Sequence, residues 1–118
     1  MNTLPIIIED NRVTIRRTKD GVWLSEHEIA RLFEVYVSAV GSNIRSILKS
    51  GILREEKVYK FIKSDEDRYI ELYSLEMITA LAFRLKSRNA ELFRRWITER
   101  ATNPVVVWGI PDQNPTLN

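Results

Sequence analysis

The sequence predicts an α+β domain, and three observations carry that reading. Four stretches place apolar residues at helical spacing, while others form short apolar runs around turn signals. Two of the predicted helices, Ser25–Phe33 and Val37–Ser50, are separated by only three residues. A chain of 118 residues that is 44% hydrophobic and 29% charged is long and apolar enough to bury one core.

The elements follow in order. "PIIIEDNRVTIRR" places Ile6–Ile8 before a turn-forming Glu9-Asp10-Asn11, with Val13 and Ile15 on one face beyond it, so the domain opens with a β-hairpin. Asp20-Gly21 makes the next turn and leads to a short strand at Val22-Trp23-Leu24. Ser25 and Glu28 form an S-x-x-E capping box that starts the first helix. Ile29, Ala30, Leu32 and Phe33 supply its buried side, and small Ala30 admits a second helix at close range. Val35 occupies the break, and Val37, Val40, Ile44 and Ile47 form the inner stripe of the second helix. "KVYKFIKSDEDRYIELY" then predicts a second hairpin, with Val58, Phe61 or Ile62, Ile70 and Leu72 flanking a polar tip at Ser64–Asp67. Ser74 caps a helix carrying Leu75, Ile78, Leu81, Ala82 and Leu85. A last helix, about Asn89 to Ala101, turns Ala90, Phe93, Ile97 and Ala101 inward, with Trp96 joining Phe93 in the core. Glu91 and Arg95 pair four residues apart on its outer side. The domain is expected over 1–103. Three of the four prolines fall in the tail, 104–118, which is expected to be partly docked and partly frayed.

Two helices joined by so tight a break form a helix-turn-helix, and a hairpin directly after them makes the winged variety. The outer face of the second helix carries Ser38, Ser42, Arg45 and Lys49, flanked by Asn43 and Ser46. Short hydroxyl and amide side chains near its start suit base edges in a major groove, and the later cations suit phosphates. The hairpin tip is acidic, so its expected contacts are the shoulder cations Lys60, Lys63 and Arg68. Two residues run against the pattern. Glu34 stands where a left-handed turn favours glycine, and Gly41 interrupts the second helix.

"GVWLSEHEIARLFEV", "ELYSLEMITALAFRLKS" and above all "SRNAELFRRWITE" resemble the RhuM family of virulence-associated, mobile-element-borne bacterial proteins. The signature is carried by Ser87, Arg88, Ala90, Phe93, Arg94 and Trp96, and the likeness spans roughly 6–101. A more distant similarity links the chain to Bro-N-type N-terminal domains of phage antirepressors. The resemblance implies a DNA-binding regulator of phage or conjugative-element ancestry. Family members are often longer, which implies a separate C-terminal effector region in such relatives.

Net charge is only +2, and the basic excess is local. Residues 74–101 hold six basic and three acidic side chains, against five and six in 54–73. Arg88, Arg94 and Arg95 are therefore secondary candidates for phosphate contact. The absence of cysteine excludes disulfides, zinc knuckles and thiol catalysis. The apolar run Leu4–Ile8 is too short for a leader peptide or a membrane span, so a cytoplasmic protein is expected. The single histidine, His27, falls inside the capping box, and no nucleophile, phosphate-loop or ligand spacing is present. Neither catalysis, cofactor, metal nor small-molecule substrate is expected. The expected partner is double-stranded DNA, bound sequence-specifically. A winged-helix module for protein contacts is the alternative. The apolar run Val105–Ile110 is expected to be covered, either by its own domain or by a second copy in a homodimer.

Overall fold

The opening hairpin forms because Asp10 and Asn11, the two residues between Ile6–Glu9 (β1) and Arg12–Ile15 (β2), both take positive φ, 51° and 59°. That pair of angles gives a primed turn, whose twist matches the strands it joins. Asx residues adopt it at lower cost than others. The computed structural model describes residues 4–16 and 18–102. Gly21, at φ 85°, turns the chain into Trp23–Leu24 (β3), and the Trp23 indole donates to the Asp20 carbonyl at 2.7 Å.

The capping box forms as expected. Glu28 N–H donates to Ser25 Oγ at 3.2 Å and Ser25 N–H to Glu28 Oε1 at 2.9 Å, opening Glu26–Phe33 (α1). The helix ends at Glu34 in the left-handed region, φ 58° and ψ 51°. Val35 N–H reaches back to the Ala30 carbonyl (3.0 Å) and Glu34 N–H to that of Arg31 (3.3 Å), the paired bonds of a Schellman turn. Two residues later Val37–Ser50 (α2) begins, and Gly51 at φ 78° stops it.

A one-turn helix, Glu55–Val58 (α3), then precedes Tyr59–Lys63 (β4) and Tyr69–Ser74 (β5). Ser74 ends β5 and caps Leu75–Ala82 (α4), and Arg88–Thr102 (α5) follows. One antiparallel sheet is β1-β2, the other β3-β5-β4, in which β5 returns to lie between β4 and β3. The described residues thus form an α+β domain of five helices and two small antiparallel sheets.

Its core joins Ile29 and Phe33 of α1, Val40, Ile44 and Ile47 of α2, Met77, Ile78 and Leu81 of α4, and Ala90 and Phe93 of α5. Phe33 and Phe93 meet edge to face at 5.6 Å between ring centroids. Helix α5 also stitches the ends of its neighbours. The Ser87 hydroxyl accepts from Ala90 N–H at 3.0 Å and caps α5 itself. Asn89 Nδ2 donates to the Leu32 carbonyl in the last turn of α1 (2.9 Å). Arg94 Nη1 donates to the Ala82 and Leu85 carbonyls at the end of α4 (2.7 and 3.0 Å). The "SRNAELFRRW" stretch is therefore fastening, which satisfies carbonyls that a helix end leaves without partners.

Several expectations are corrected. Val58 does not open a strand: it is the buried last residue of α3, held in a turn that the paired Glu55-Glu56 favours at its start. Phe61, Ile62 and Ile70 flank the hairpin tip as expected and are exposed, because beyond Leu72 the second hairpin outruns the helices. Trp96 is half-buried, its ring beside Phe93 (6.0 Å) and under the Arg100 guanidinium (4.8 Å). Ala101 is exposed. Helix α4 stops at Ala82, short of Leu85, although Leu85 stays buried. The tail from residue 103, with its docking and dimer expectations, lies outside the described residues.

Candidate nucleic-acid interface

Helix α2 contains no Asp or Glu. Its inner stripe is buried, whereas Ser38, Ser42, Arg45, Ser46 and Lys49 are exposed along the opposite side. Among the described residues neither Arg45 nor Lys49 forms an ion pair. The start of the helix is equally open. Tyr36, its N-cap, supplies no side-chain cap and is 84% exposed.

Two neighbours flank this face. On one side Gly41 is buried beneath Glu26 of α1: a Cβ there would lie 3.2 Å from Glu26 Oε1 and 3.5 Å from Arg45 Nη1. A methyl group at this position would require the Glu26 carboxylate to give by a few tenths of an ångström. Glu26 and Arg45 share the space above Gly41 without closing to ion-pair distance. On the other side Arg84, beyond α4, donates to Ser46 Oγ at 2.9 Å. Ser46 thus positions a third cation beside α2, and Arg84 too has no carboxylate partner among the described residues.

Asn43 is half-buried, and its Nδ2 donates to the Ala39 carbonyl of its own helix at 2.9 Å. One donor of the expected base reader is thereby engaged within α2. Ser38 and Ser42 stand clear of the protein, which leaves them as the better-placed short polar groups.

The hairpin is arranged differently from expectation. Lys63 pairs with Asp67 at 2.8 Å and Arg68 approaches Glu66 at 3.8 Å, so two of the three shoulder cations are engaged by the acidic tip. Lys60 lies over the Trp23 ring, 4.3 Å from its centroid. Between the tip and the start of α1 runs a cleft of about 790 Å³ whose lining includes Glu26, Asp65, Glu66 and Glu71 against Arg68. Such a lining repels phosphate. At the hairpin root Tyr73 is buried against Tyr59, and burial with the nearby Glu26 and Glu71 charges pushes its hydroxyl up to about 12.

Arg84 and Tyr36 are the residues that sequence reasoning passed over. Tyr36 carried a local signal, an aromatic next to the first turn of an otherwise polar helix face. Arg84 carried none, since its partner is 38 residues away. No helix among the described residues is long and apolar enough to cross a membrane. No protein-family model, curated protein or solved structure matches the chain.

Proposed function

We propose that the chain is a sequence-specific duplex DNA-binding protein of winged helix-turn-helix type. In this reading it acts as a transcriptional regulator or antirepressor-like factor of a phage or conjugative element. The observation that carries the proposal is the acid-free outer face of α2, where Arg45, Lys49 and the adjoining Arg84 stand unpaired. Cations without carboxylate partners are what a polyanion can recruit at the lowest cost in broken pairs. The winged reading is supported by chain order: a strand, a bent helix pair, then two strands whose second returns beside the first. The resemblance to the RhuM family points to the same regulatory role.

In this arrangement α2 lies in the major groove, Ser38 and Ser42 face base edges, and Arg45, Lys49 and Arg84 meet phosphates. Three such contacts give a slope of log affinity against log salt of about −3. Fluorescence anisotropy on duplexes from a random-sequence selection, titrated over salt, tests this. No binding at low salt would end the proposal. A second reading, a protein-contact module, draws on a separate observation: Phe61, Ile62, Tyr69 and Ile70 are exposed on the distal hairpin.

A further inference from the structure

Among the described residues strand β4 is an edge, because the sheet order β3-β5-β4 leaves its far side without a neighbour there. Ser64 N–H donates to the Arg68 carbonyl at 2.7 Å, which closes the hairpin on a hydrogen-bonded pair. From there the antiparallel ladder alternates, so Ile62 and Lys60 bond toward β5 while Phe61 and Lys63 aim their N–H groups outward. Tyr59 N–H is already used, donating to the Glu55 carbonyl. Each copy therefore presents two open donors on this edge, at Phe61 and Lys63.

Alongside Lys60 and Lys63, the hairpin exposes large apolar side chains. Phe61 is 56% exposed, Tyr69 65%, Ile62 44% and Ile70 38%. Tyr59, Phe61 and Tyr69 continue one aromatic ladder along a single face of the hairpin, at 6.5 and 5.3 Å between centroids. An uncovered edge of this kind is a template for another strand.

We propose that β4 pairs antiparallel with β4 of a second copy about a two-fold axis at Phe61, making one six-stranded sheet. The edge is complementary to itself in its open donors and acceptors, and charge placement selects the register. With Phe61 opposite Phe61, Lys63 faces the second copy's Tyr59 and Lys60 faces its Ile62, so no like charges stand directly opposite. Moving the axis to Lys60 or Lys63 sets lysine against lysine. Moving it to Ile62 runs Tyr59 opposite Asp65 in the turn and shortens the ladder. The Phe61 register also satisfies every open donor: Phe61 N–H reaches the second copy's Phe61 carbonyl, and Lys63 N–H reaches its Tyr59 carbonyl. An isologous contact of this kind closes on itself and stops at two copies. The proposal is independent of DNA binding.

Sedimentation equilibrium of the full chain tests it, with cross-linking to locate the contact. The expected mass is twice 13.8 kDa. Phe61→Lys, which opposes two ammonium groups at the axis, should return the mass to that of one chain. Because the chain has no cysteine, Phe61→Cys should join two copies through a single disulfide under mild oxidation, while Glu71→Cys on the inner strand should not. The cysteine pair keeps the test valid if the lysine variant unfolds. A wild-type chain that sediments as a monomer overturns the proposal. So does a dimer that survives Phe61→Lys, or one that leaves Phe61→Cys unlinked, since the contact would then lie elsewhere.

Discussion

Helices α2 and α5 carry the same net charge and put it to opposite uses. Helix α5 has four arginines against two glutamates, while α2 has one arginine and one lysine against none. On α5 every arginine is engaged. Arg88 and Arg95 share Glu91 at 3.5 and 3.3 Å, Arg94 holds two α4 carbonyls, and Arg100 covers Trp96. On α2 both cations face solvent unpaired. The count of net charge therefore does not tell these helices apart. What matters is how much existing bonding a phosphate would have to displace.

The comparison is broken most severely from the inner side of α5. Phe93 is fully buried against Phe33, so Phe93→Ala should destabilise the domain by about 3–5 kcal/mol. Arg94→Met should cost about 2–3 kcal/mol, since it leaves two partly buried carbonyls without their charged donor. Urea midpoints should fall for both, with m-values unchanged. If Arg94→Met instead lowers the salt slope of DNA binding and leaves stability intact, Arg94 is a phosphate contact and the contrast fails.

On α2 the expected outcome is the reverse. Arg45→Ala and Lys49→Ala should leave the fold stable, since neither residue touches the core. Each should reduce the salt slope by about one unit, on selected and scrambled duplexes alike. Arg84→Ala should do the same if Ser46 holds it on the DNA side. By contrast Lys63→Ala and Arg68→Ala should leave the slope unchanged, because Asp67 and Glu66 already neutralise those side chains.

What was legible in the sequence was local. The capping box at Ser25 and Glu28, the break at Glu34–Tyr36, both hairpin turns and the Ser74 cap each involve residues within a few positions of one another. Their signals survive without knowledge of the fold. The candidate face on α2 was legible for the same reason, through helical spacing. Contacts between distant residues were not. Nothing near Ser46 announces Arg84, and nothing near Leu32 announces Asn89, 57 residues on. The exposure of the distal hairpin was not legible for a related reason. Its apolar residues mark strands, but whether a strand is covered depends on where the helices end. The Lys63 and Arg68 pairs depend in turn on the turn geometry, with Asp67 at φ 63° folding its carboxylate back toward Lys63.

The turn between α1 and α2 offers a smaller test on the α2 side. Glu34 occupies a left-handed conformation that a Cβ disfavours, and the Schellman bonds hold it there. Glu34→Gly relieves that strain while making the unfolded chain more flexible, so the net gain should be about 0.5–1 kcal/mol. A loss of stability would mean that the Glu34 side chain contributes a contact that outweighs its strain.

The smallest effect belongs to the outer side of α5. Arg95 and Glu91 form an exposed pair four residues apart, with side chains 53% and 48% accessible. Exposed pairs of this spacing contribute about 0.3–0.5 kcal/mol, and Glu91 keeps Arg88 as a second partner. Arg95→Ala should therefore lower stability by no more than that amount, and salt should erase the difference. Its effect on DNA binding is the more telling measurement. Were availability unimportant and only net charge felt, removing Arg95 would weaken binding as much as removing Lys49, since each deletes one positive charge. If pairing decides, the Arg95→Ala slope should match wild type while Lys49→Ala loses a unit. Equal losses in the two variants would show that DNA responds to the summed field of the domain, and α2 would lose its claim to be the contact surface.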